Sequence, residues 1–80
     1  MDLQFVAKDP ESKDGKCPSI WVDRDTGELV VQGWDAQADM VTACLAAGPI
    51  PDGESVVRLL ARMVAALREA CDVSERSVAG

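Results

Sequence analysis

The stretch Ser19-Ile20-Trp21-Val22-Asp23-Arg24-Asp25-Thr26-Gly27-Glu28-Leu29-Val30-Val31-Gln32 decides the fold. Two runs rich in β-branched and aromatic residues flank the loop Arg24-Asp25-Thr26-Gly27, in which Gly27 can take the positive φ that closes a hairpin. Pairing Asp23 with Glu28 sets Val22 opposite Leu29, Trp21 opposite Val30 and Ile20 opposite Val31. Side chains alternate across a strand, so one face carries Ile20, Val22, Leu29 and Val31. The other carries Trp21 and Val30 among Asp23, Glu28 and Gln32, and Trp34 continues it just past the strand. Tryptophan is favoured at the centres of protein interfaces, so this second face reads as a protein-binding patch if solvent reaches it. A covering helix, or a simple stabilising cross-strand pair, is the competing reading.

Upstream, Leu3, Phe5 and Ala7 alternate with Gln4, Val6 and Lys8, the pattern of a half-buried strand. Residues 8–18 follow as a polar loop containing Asp9-Pro10 and Gly15. Downstream, Asp35 is placed to cap a helix over about 36–47 that gathers Met40, Val41, Cys44 and Leu45 on one side and stops at Gly48-Pro49. The last segment admits two readings. Residues 54–72 split into an apolar and a polar half-cylinder, as one amphipathic helix would. Alternatively, the β-branched Val56-Val57 pair makes 55–59 a fourth strand ahead of a helix over 61–72. Residues 74–80 read as a frayed tail.

The expected fold is α+β: one domain over 1–80, with a small antiparallel sheet of three strands, or four with 55–59, packed against one or two helices. Leu3, Phe5, Ile20, Val22, Leu29, Val31, Met40, Leu45, Leu60, Met63, Val64 and Leu67 are its expected core.

Composition supports a single folded unit. Eighty residues at 48% apolar and 28% charged are too few for two cores and too apolar for a disordered chain. A domain this small buries roughly 60–65% of its unfolded surface, which makes a homodimer or a permanent partner a natural expectation. The net charge is −6 and histidine is absent, which argues against direct contact with nucleic acid or an anionic membrane. Residues 1–55 hold three Lys and one Arg against eleven acids, whereas 56–80 hold four Arg against three. The start lacks a basic n-region and an apolar h-region, no apolar run approaches a membrane span, and a cytoplasmic location is expected.

Catalysis finds little support. Without histidine the usual general base near neutral pH is missing, and neither serine nor cysteine has an imidazole to activate it. Cys17, Cys44 and Cys71 are odd in number and form no C-x-x-C pair, so no disulfide framework, zinc site or other metal site is expected. Asp23, Asp25 and Glu28 crowd the hairpin turn but miss the calcium-loop spacing. No glycine-rich phosphate loop is present, and no cofactor is expected. Cys17, beside Lys16, is the one candidate for a thiol sensor. Arg58, Arg62 and Arg68 are read as lining the polar side of the last helix, either to grip an acidic partner or as its solvated face.

The combination Lys8-Asp9-Pro10, Cys17-Pro18-Ser19-Ile20-Trp21-Val22-Asp23, Leu29-Val30-Val31-Gln32-Gly33-Trp34, Pro49-Ile50-Pro51, Val56-Val57-Arg58-Leu59 and Ala61-Arg62-Met63 resembles small acidic proteins of streptomycetes and related actinobacteria. Those proteins are typically encoded beside helix-turn-helix transcriptional regulators. The similarity runs from about residue 4 to 73 and its motifs are structural, with no catalytic residues to carry across. The resemblance implies an accessory protein that binds and modulates a DNA-binding regulator. Such proteins often have a proline near the position of Leu60, which would favour strand-then-helix; this chain has leucine there. Trp21, Val30, Trp34, Arg58, Arg62 and Arg68 are the candidate protein-binding residues. An antitoxin-like neutraliser of another protein is the main alternative function, ahead of the thiol sensor.

Overall fold

The computed structural model describes residues 1–11, 15 and 17–79. The middle of the polar loop expected over 8–18, Lys16 included, therefore lies outside the described residues.

The chain forms an antiparallel sheet of strands β1 (Leu3–Lys8), β2 (Ser19–Asp23) and β3 (Leu29–Gln32), with β2 in the middle. The hairpin has the pairing read from the sequence: Val22 with Leu29, Trp21 with Val30 and Ile20 with Val31. Its turn is locally satisfied. The amide of Gly27 donates to the Asp23 carbonyl at 2.7 Å, Asp25 N–H donates to Asp23 Oδ1 at 3.0 Å, and Gly27 sits at φ 80°. Arg24, at the tip, pairs with Asp2 at 2.9 Å.

One helix, α2 (Val64–Ala79), covers one face of this sheet, packing mainly on β2 and β1. The core holds Ile20 and Val22 from β2 with Met63, Ala70 and Val73, and Val6, Leu59, Ala66 and Leu67 pack around it. Leu60 is extended, and Ala61–Met63 make a 3-10 turn that drops Met63 into the core before α2 begins. The segment 54–72 is thus not one helix. The strand expected at 55–59 exists as the two residues Val57–Arg58 (β5), but it pairs with Trp34–Asp35 (β4) in a separate two-stranded ribbon instead of extending the main sheet.

Several expectations are corrected. Leu3 and Phe5 are exposed, because the register between β1 and β2 shifts between Phe5 and Ala7. That irregularity sets Phe5 opposite Trp21 on the outer face, and it is Val6 that joins the core. Leu29, Val31 and Val64 are exposed because α2 leaves the β3 edge largely open. Residues 74–79 are helical and not frayed: Ser74 Oγ donates a short hydrogen bond to the Gly27 carbonyl, and Val73 is buried just before them. Asp35 lies in β4 and caps nothing; Gln37 precedes the first helix, α1 (Ala38–Cys44), without a side-chain cap. A 3-10 turn, Leu45–Ala47, extends α1, and neither piece contains a buried residue, so Met40 and Leu45 are surface groups.

Candidate protein-binding surface

The outer face of the sheet, opposite α2, carries a row of apolar side chains, one from each strand. Phe5, Trp21 and Val30 are mutually opposed across β1, β2 and β3, and residues directly opposed in a ladder project to the same side. The Phe5 and Trp21 rings meet edge to face, with centroids 6.0 Å apart and planes at 65°. This geometry sets the positive ring edge against the negative ring face, an arrangement worth about 0.5–1.5 kcal/mol beyond area burial. Even so, Phe5 remains 52% exposed. Val30 is exposed too, and Leu3 extends the row on β1.

The surface continues past the end of β3. Gln32, two residues beyond Val30 and on the same face, donates from Nε2 to the Cys17 carbonyl at 3.2 Å. Gln32 also lines a shallow cavity of about 160 Å³ with Cys17, Pro18, Gly33 and Trp34. Trp34 is exposed and stands directly opposite Arg58 on the β4–β5 ribbon. Gly33 permits that junction, since a side chain there would run into the Arg58 carbonyl at 2.8 Å. Arg58 Nε is buried with no protein hydrogen-bond partner.

The six candidate residues fall into three places. Trp21 and Val30 are adjacent on the outer face, and Trp34 and Arg58 share the ribbon beside it. Arg62 belongs to neither group. Its Nε and an Nη bind Asp9 Oδ1 and Oδ2 at 2.7 and 2.6 Å, and Glu11 Oε2 lies 3.2 Å from Nε. Those hydrogen bonds to Asp9 raise the guanidinium pKa above its ordinary value, against a smaller opposing effect of desolvation and with added help from the charges of Asp9 and Glu11. Arg68 is exposed on α2, on the other side of the molecule from the Trp21 row. The three arginines do not form a row on one helix, because Arg58 is in β5 and Arg62 in the 3-10 turn.

Phe5, like Leu3 beside it, was placed in the core by sequence reasoning. Its alternation with Val6 was visible, but the irregularity that turns Phe5 outward depends on the partner strand beyond the polar loop. Among the described residues no group of three or more acidic, cysteine or histidine side chains is arranged to hold a metal ion, and no helix is long and apolar enough to cross a membrane. No family model, curated protein or solved structure matches this chain.

Proposed function

We propose that this protein is a non-catalytic, cytoplasmic accessory protein that binds and modulates a helix-turn-helix DNA-binding regulator. The observation that carries the reading is the outer-face row in which Phe5 and Val30 are exposed on either side of a half-buried Trp21, and which continues through Gln32 to Trp34. Aromatic groups held rigidly by a sheet lose little conformational entropy on contact and are typical anchors of an interface. Around them the chain is acidic, with net charge −6. Such a field repels DNA and attracts the basic surface that a DNA-binding domain presents. Contact through the apolar row places the acidic body against that basic surface, which lowers the regulator's affinity for DNA.

Affinity-tagged protein recovered from its native cells should bring down a protein with a helix-turn-helix domain. Addition of the purified chain should weaken that regulator's hold on its operator. If the captured regulator binds its operator equally well with and without this chain, the proposal fails. Loss of binding at high salt with Trp21→Ala binding normally would shift the contact from the apolar row to the acidic rim.

A further inference from the structure

A second surface, on the opposite side of the sheet, is also apolar and open. A compact 8.5 kDa monomer exposes about 4,650 Å² of surface. This chain exposes 5745 Å², about 1,100 Å² more than that scaling gives. Its radius of gyration is 14.0 Å, against about 12 Å for a compact chain of 80 residues. A standard interface buries about 800 Å² per partner, so the excess is of the size one stable dimer contact requires.

Two complementary apolar surfaces contribute to that exposed area. The first is α1 with its 3-10 extension, in which Met40 and Leu45 are exposed, Leu45 by 50%, on the side shared with Val41 and Cys44. Seven helical residues with no side-chain cap and no buried face fall well short of the roughly 12–15 that hold a helix unaided in water. The second is a trough along the β3 edge. Its floor is Leu29 and Val31, whose side chains lie on the α2 side of the sheet. Its wall is the flank of α2 formed, at about 100° per residue, by Val64, Leu67, Cys71 and Val78. The contact of Val78 and Ser74 with Gly27 turns this flank toward the hairpin and β3, while Arg62 and Asp9 fix the opposite flank beside β1. Val64 is 50% and Val78 66% exposed.

We infer that two copies of this chain exchange arms, with the apolar side of α1 from each lying in the trough between β3 and α2 of the other. A second copy fits because each chain holds one unburied amphipathic helix and one open apolar trough, and reciprocal exchange satisfies both in a closed two-fold assembly. This dimer forms through the face opposite Trp21 and does not depend on the proposed regulator.

The test uses the full chain with Cys17→Ser and Cys71→Ser, retaining Cys44 on α1 and adding Val31→Cys in the trough. Native mass measurement should give twice the chain mass, and mild oxidation should produce a covalent dimer that reductant dissolves. The same chain without Val31→Cys should stay uncrosslinked. Met40→Glu with Leu45→Glu, both at exposed positions, should give a folded monomer. A monomeric parent chain, an internal disulfide within one chain, or a dimer that does not crosslink through Val31→Cys overturns the arm exchange.

Discussion

Arg62 holds Asp9 through two hydrogen bonds, at 2.7 and 2.6 Å, across 53 residues of sequence. The Asp9 carboxylate is fully buried, whereas the Arg62 side chain is 42% exposed. Asp9 also accepts from the Glu11 amide at 3.1 Å and donates its own amide to the Pro18 carbonyl at 2.8 Å. The pair therefore ties the end of β1, the start of β2 and the entry to α2 together. Removing the guanidinium would leave a buried carboxylate short of its charge partner, the costly way to break such a pair. Arg62→Ala should lower the thermal midpoint by about 5 °C or more, read by circular dichroism. Arg62→Lys should restore only part, since an ammonium cannot make the two-pronged contact. Glu11→Ala, which removes only an exposed partner, should change little.

The same pair fixes a pH dependence. A base whose pKa is raised on folding contributes stability fully below its unfolded pKa, and that contribution is lost only as pH rises through the folded value. For Arg62 that loss lies in the far alkaline range. The chain has no histidine to titrate near neutrality. The deficit of Arg62→Ala relative to the parent chain should thus be equal at about pH 6 and about pH 8 in paired thermal melts. A deficit that shrinks as pH falls would show the buried Asp9 carboxyl taking up a proton once its guanidinium partner is gone.

Gly27 should tolerate no side chain. Its φ of 80° strains an L-residue, and a methyl group there would run into Val78 Cγ1. Gly27→Ala should cost about 1–3 kcal/mol in a denaturant melt. Truncation after Ser74, which removes Val78, should relieve the steric part of that penalty and leave the backbone part.

On the outer face, stability and binding should separate. Phe5 is half-exposed, so Phe5→Ser should cost only about 0.5–1.5 kcal/mol, the worth of its ring contact with Trp21, while weakening regulator binding about tenfold or more. Ile20→Ala, in the fully buried core, should do the reverse: it should cost about 2–5 kcal/mol of stability, with binding preserved in the folded fraction.

The hairpin was legible because its register depends only on a short loop and the residues flanking it. Gly27 and the alternation of Ile20, Trp21 and Val22 specify both the pairing and the face on which Trp21 lies. The position of β1 was not, since its partner lies beyond a long loop and one irregular residue between Phe5 and Ala7 exchanges the faces. The docking of 74–79 was hidden because Ser74 and Ser77 look solvent-facing in isolation, yet their hydroxyls bond to the carbonyls of Gly27 and Val73. Periodicity identified α1 as two-sided without saying what it packs on. In the candidate surface, Trp21 and Val30 could be read locally, whereas the engagement of Arg62 by Asp9 is a long-range contact that spacing does not announce.

In the proposed function, the Phe5, Trp21 and Val30 row is the contact through which this protein acts on a DNA-binding regulator. The most direct measurement is the dissociation constant between the purified chain and the helix-turn-helix protein that co-purifies with it, for the parent and for Phe5→Ser. Saturable binding by the parent, and binding at least about tenfold weaker for the folded variant, is the predicted result. Equal affinities, or no helix-turn-helix protein among those that co-purify, would contradict it.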